Sequence, residues 1–101
     1  MEGLSILAKR LQELRKKNHL KQDDIANLLG VVRSTYGNYE QGTREMDLSG
    51  IIKLADFYKV SLDYLFGRTD LPFHYESYPE DEIEFIERAL SLYQEMKSKI
   101  T

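Results

Sequence analysis

Apolar residues recur along this chain at helical rather than strand spacing. Leu7, Leu11 and Leu14 share one face of a stretch from Ser5 to Asn18, with Lys9, Arg10, Lys16 and Lys17 on or near the other faces. Cations in its last turn complement the helix dipole. A short second helix is predicted from Gln22 to Leu29: Asp23 and Asp24 occupy its first turn, Ile25, Leu28 and Leu29 give it an apolar face, and Gly30 stops it. After Gly30, Val31 and Val32, a third helix from Arg33 to Gln41 turns Tyr36 and Tyr39 inward and ends at Gly42. Gly37 inside it costs about 1 kcal/mol relative to alanine, so tertiary packing must hold this helix. Leu48 to Tyr58 repeats apolar residues over a broad face (48, 51, 52, 54, 55 and 58), with Asp47 as N-cap candidate, and Ser61 caps a last turn or two through Leu62, Leu65 and Phe66 to Gly67.

Residues 68–78 form a connector broken by Pro72. Its aromatics Phe73, Tyr75 and Tyr78 are unlike a Gly/Ser linker, which predicts that it packs. A final helix over residues 79–101 is announced by capping-box spacing between Ser77 and Glu80, by Pro79, and by the acidic run Glu80, Asp81 and Glu82. Ile83, Ile86, Leu90, Tyr93 and Ile100 fall on one stripe with Met96 alongside, a face that needs a partner. The expected fold class is therefore all-α: a five-helix domain over residues 1–67, the connector, and a C-terminal amphipathic helix as dimerisation element.

Composition sharpens this reading by exclusion. The 101 residues contain no cysteine and only two histidines, His19 and His74, which removes disulfides, thiolate metal sites and a self-contained zinc site. No nucleophile paired with a base and no phosphate-cradling glycine loop is present, so an enzyme is not expected, and neither a cofactor nor a particular small-molecule effector is implied. No run approaches the roughly 20 apolar residues of a membrane span, and the expected location is the cytoplasm. The net charge of -3 argues against a nucleic-acid partner until its distribution is considered. Residues 1–67 hold ten Lys and Arg against nine Asp and Glu, whereas residues 68–101 hold four against eight. The acidity sits at the C-terminal end, where it forms a solvated helix face or repels phosphate, and the first part is free to present a basic face.

The informative stretch is QDDIANLLGVVRSTYGNYEQG, residues 22–42: short helix, glycine turn, short helix. Such a pair crosses steeply and projects the N-terminal residues of its second helix where a major groove could receive them. With the flanking LQELRKKNHLKQDDIANLLGV, RSTYGNYEQGTRE and LADFYKVSLDYLFG segments, residues 5–67 resemble the phage-repressor and Cro-like (XRE-type) helix-turn-helix family. The resemblance implies a sequence-specific regulator of transcription, most often a repressor, that binds double-stranded DNA as a homodimer on a palindromic operator. It also implies that Gln22 contacts a phosphate or braces the recognition helix, that Arg15 and Glu40 form a buried pair tying the first helix to the third, and that Arg44 contacts phosphate.

Within the third helix, position assigns Arg33, Ser34 and Asn38 to base edges, and Thr35 and Gly37 to the sugar-phosphate wall. Arginine can donate two bonds to guanine and asparagine can read adenine. Three features depart from the family pattern. Lys21 and Val32 stand where caps are usual and offer no side-chain acceptor, and Met46 replaces a proline, which predicts a looser loop. Val32 reads foremost as a buried turn residue, with contact to a thymine methyl as the alternative. Tyr36 and Tyr39 read as core or flanking aromatics. The competing function is an antitoxin-like or other interaction module whose C-terminal helix binds a heterologous protein.

Overall fold

The computed structural model describes residues 2–72 and 78–100. Among them are six helices and no extended strand: α1 (Glu2–Lys17), α2 (Gln22–Leu29), α3 (Arg33–Gln41), α4 (Leu48–Tyr58), α5 (Leu62–Leu65) and α6 (Glu80–Ile100). The predicted Ser5 start of α1 thus moves to Glu2. Phe73, His74, Tyr75 and Ser77, which carried the aromatic connector and the capping box, lie outside the described residues. Pro79 sits just before α6, its carbonyl accepting the Ile83 N–H at 2.9 Å.

Helices α1 to α5 share one core. Leu7, Leu11 and Leu14 of α1 meet Ile25 and Ala26 of α2, Tyr36 of α3, Ile51, Leu54 and Ala55 of α4, and Leu65 of α5. Helix α3 packs on α1 and α2, while α5 closes against α1 and α4. Met46, expected to loosen its loop, is instead buried in this core, because its unbranched side chain fills the space between α3 and α4. The predicted broad face of α4 is narrower than its sequence suggests. Leu48 is 63% exposed and Ile52 41%, since only the arc through Ile51, Leu54 and Ala55 meets other helices.

The ends of the helices show how local chemistry was redistributed. Lys21 and Val32 occupy N-cap positions without capping, as the sequence predicts. At α2 half of a capping box survives: the Asp24 carboxylate accepts the Lys21 backbone N–H at 2.7 Å, and Lys21 has no acceptor to return. Asp47 stands at the N-cap of α4 but its carboxylate accepts the Ser49 hydroxyl at 2.6 Å and bonds no backbone donor of the helix. Ser61 caps α5 as expected, accepting the Tyr64 N–H at 3.0 Å. Gly30 ends α2 at φ 72°, a left-handed conformation that lets the Val31 N–H reach back to the Ala26 carbonyl at 3.0 Å and turns the chain into α3.

Arg10 closes the other end of the domain. Its guanidinium, which the sequence places on or near a face other than that of the leucines, donates to the carbonyls of Tyr64 and Thr69 and to Asp70 (2.9 Å), and lies 4.1 Å from the centre of the Tyr64 ring. The start of the connector is therefore packed, with the Ser61 N–H also reaching the Pro72 carbonyl at 3.3 Å. Helix α6 buries no residue. Ile83 and Ile86 are half-buried, and Leu90, Tyr93 and Ile100 are exposed. A second exposed row, Phe85, Ala89, Leu92 and Met96, runs beside the predicted stripe, so the apolar face covers about half the helix circumference at 3.6 residues per turn. No described helix is long and apolar enough to cross a membrane.

Candidate nucleic-acid interface

Two faces of α3 divide its residues by task. The inner face carries Tyr36, fully buried, and Glu40, whose carboxylate is almost entirely covered. Arg15 of α1 reaches Glu40 with two bonds, Nε to Oε2 at 2.6 Å and Nη2 to Oε1 at 3.1 Å, and its Nη1 donates to the Leu20 carbonyl at 2.9 Å. This two-pronged geometry is the strong form of an arginine–carboxylate contact. From α2, Gln22 Nε2 donates to Glu40 Oε1 at 3.2 Å. One carboxylate thus joins three helices, and of the two roles open to Gln22 the geometry shows the brace.

Burial works against the charge of Glu40, but the bonds from Arg15 and Gln22 and the nearby Tyr36 hydroxyl outweigh it and hold the carboxyl below its ordinary value. The hydrogen bond to Glu40 correspondingly raises Arg15. Burial, reinforced by Glu40, keeps the Tyr36 phenol neutral far into alkali, and it pushes Tyr58 up to about 12. The Tyr36 hydroxyl stands near enough to favour the charged form of Glu40, yet its geometry falls short of a well-formed hydrogen bond. Tyr39 is half-buried and meets the Tyr36 ring edge-on at 6.3 Å.

The outer face is exposed and concave. Gln22, Val32, Arg33, Ser34, Gly37, Asn38 and Gln41 line one shallow depression where α2 crosses α3. Six of these seven were singled out from sequence; Gln41 was missed, although it continues the helical row of Ser34, Gly37 and Asn38. Val32 is 66% exposed on the rim, which overturns its reading as a buried turn residue: the turn at Gly30 directs it outward, while Val31 behind it packs on the core. Gly37 leaves space here that propensity does not reveal. A Cβ at this position would lie 3.6 Å from Gln22 Oε1, so the bare backbone opens the floor of the depression beside the brace.

Arg33 does not stand free. Its Nε lies 3.8 Å from the Asp23 carboxylate across the α2–α3 turn, and both side chains are mostly exposed. Such a pair contributes under about 1 kcal/mol and is screened by salt. Thr35 and Arg44 are outside the depression. Thr35 is half-buried on α3, and Arg44 is exposed in the loop after Gly42, beside Glu45 and Tyr39. The arrangement offers amide, guanidinium, hydroxyl and methyl groups on a protruding helix, with no bound charge of its own at the centre. That is the chemistry of base-edge recognition rather than of covalent catalysis.

Comparison with known proteins agrees with this geometry. Residues 11–65 match the helix-turn-helix family. The uncharacterized HTH-type transcriptional regulator YobD of Bacillus subtilis is 40% identical over 63 residues, which cover 62% of this chain and 56% of YobD. The chain spans about half the length of the curated relatives it matches. Among solved structures, the restriction-modification controller protein C.AhdI from Aeromonas hydrophila aligns with TM-score 0.57 and 36% identity, covering 65% of this chain and 100% of its own. A transcriptional regulator from Listeria innocua aligns with TM-score 0.60 and 26% identity over 89% of this chain and 94% of its own, a span longer than α1 to α5. The inner-face brace, the outward depression and the match over residues 11–65 together place this chain in the phage-repressor and Cro-like (XRE-type) helix-turn-helix family of DNA-binding transcriptional regulators.

Proposed function

We propose that the chain recognises a two-fold symmetric operator as a homodimer in the cytoplasm, laying α3 of each protomer in the major groove of one half-site. A protein dimer seated over a promoter blocks other proteins by occupancy alone, so the regulatory output is repression. Arg33, Ser34, Asn38 and the added Gln41 read base edges, with Arg33 contributing most through a two-pronged contact to guanine. Val32, exposed on the rim, contacts a thymine methyl. Gln22, through its position at the first turn of α2, together with Thr35, Gly37 and Arg44, faces the sugar-phosphate backbone. Ile83, Ile86, Leu90, Tyr93 and Ile100 of α6 join the protomers, and the acidic start of α6 keeps that helix off the phosphates.

The observation that carries this reading is the shared exposure of Arg33, Ser34, Asn38 and Gln41 around one depression floored by half-buried Gly37, while Tyr36 and Glu40 anchor the opposite face. Selection from random duplex pools at two salt concentrations tests it. The expected result is an enriched motif with inverted symmetry and an affinity that falls steeply with salt. Equal weak binding to all duplexes overturns it. The unpartnered apolar face of α6 also suits a heterologous helix-binding partner, as in an antitoxin-like module. Sedimentation separates the two: a homodimer lost on deletion of residues 79–101 supports the regulator, and a monomer supports the partner-seeking module.

A further inference from the structure

The apolar arc of α6 is interrupted by two charges of opposite sign, one near each end. Glu82 stands four residues before Ile86 and seven before Ala89, and Lys97 stands four after Tyr93 and seven after Leu90, so helical geometry sets both on the apolar face. The halves of the helix also differ in charge. Residues 80–90 contain five acids and Arg88, whereas residues 91–100 contain Glu95 with Lys97 and Lys99.

Resting on the homodimer reading above, we infer that two copies of α6 pair antiparallel about a two-fold axis between residues 89 and 90. In that register Glu82 of each copy meets Lys97 of the other. The apolar residues at the centre also match: Ile86 faces Tyr93, and Ala89 shares a level with Leu90, while Ile83 and Met96 flank the seam on opposite sides. The interface is self-complementary, as a two-fold contact requires, because every pair occurs twice by symmetry. Parallel pairing would set Glu82 against Glu82 and Lys97 against Lys97 and bring the two acidic ends together. Antiparallel pairing also opposes the helix dipoles. The same charge pattern favours a second copy as the occupant: it sets an opposite charge across from Glu82 and from Lys97, which an unrelated apolar helix does not.

Charge reversal in the full-length protein tests the register, read by sedimentation equilibrium. E82K sets two lysine pairs across the axis and K97E sets two glutamate pairs, so each single variant should dimerise about tenfold more weakly than wild type. The E82K/K97E double variant restores opposite charges and should return to wild-type affinity. In a parallel dimer all four proteins carry like-charge pairs and dimerise equally, which overturns the antiparallel register while leaving the dimer standing. A wild-type chain that stays monomeric overturns the dimer reading itself. The absence of native cysteine permits an independent check. I86C mixed with Y93C should cross-link under oxidation while neither does so alone, and cross-linking of each variant with itself overturns the register.

Discussion

Helices α3 and α6, the two surfaces proposed to meet other molecules, are stabilised in opposite ways. Helix α3 has nine residues, an interior glycine, no side-chain cap and no internal ion pair among its described contacts. Everything that holds it comes from elsewhere in the fold: Arg15, Gln22 and the core around Tyr36. Helix α6 has 21 residues, acids in its first turn, lysines in its last, and the i,i+4 pairs Arg88–Glu84 at 2.7 Å and Lys99–Glu95 at 3.6 Å, while fully burying no residue. Helix α3 is thus only as ordered as its domain, whereas the C-terminal helix draws most of its order from local sequence.

The largest expected effect tests the dependence of α3. Glu40→Ala leaves the Arg15 guanidinium without its carboxylate in a mostly covered site, and should cost about 3 kcal/mol in denaturant unfolding. DNA affinity should fall with it although no proposed DNA contact is touched. The same brace sets an acid limit. Glu40 is held below its ordinary value of 4.5, so its contribution is complete above that value and is lost as the pH falls through the carboxyl's folded-state pKa. Glu40→Gln should flatten the pH dependence of stability in that acid range, measured by thermal unfolding as a function of pH.

Next comes the reading surface itself. Arg33→Ala should lose about 1 to 3 kcal/mol of discrimination at one operator position with unchanged thermal stability, whereas Arg44→Ala should weaken binding about equally on every sequence. Competition binding against single-base operator variants separates the two. A smaller effect of the opposite sign is expected of Gly37→Ala. Its new methyl meets Gln22 at ordinary contact distance, so the helix should gain about 1 kcal/mol, seen as a raised midpoint in denaturant. The smallest effect falls on α6. At concentrations where the chain is monomeric, deletion of residues 79–101 should shift domain stability by less than about 0.5 kcal/mol. A larger loss would show that α6 supports the domain.

The sequence makes the helices legible where local chemistry decides them. Gly30 and Gly42 give α2 and α3 their ends, and the apolar spacing of α1 places Leu7, Leu11 and Leu14 in the core as read. The brace of Arg15 and Glu40 was accessible through family resemblance, since nothing local links residues 25 positions apart. What escaped depends on where elements meet. The outward turn of Val32, the burial of Met46 and the exposure of Leu48 and Ile52 follow from the crossing of helices, which periodicity does not specify. Arg10 is one cation among several on α1, and its capture by carbonyls at the end of α5 leaves no mark in composition. Asp47 has the right residue type at the right position, yet Ser49 two residues on offers its carboxylate a nearer donor.

The division of α3 into an inner and an outer face has a consequence for mutational history. The residues that seat the helix, Tyr36 and Glu40, are not those proposed to read DNA, and none of Arg33, Ser34, Asn38 or Gln41 contributes to the core. Specificity can therefore be rewritten at four exposed positions without passing through an unfolded intermediate. A scaffold of this kind can diverge rapidly among related regulators, each keeping the fold and acquiring an operator of its own.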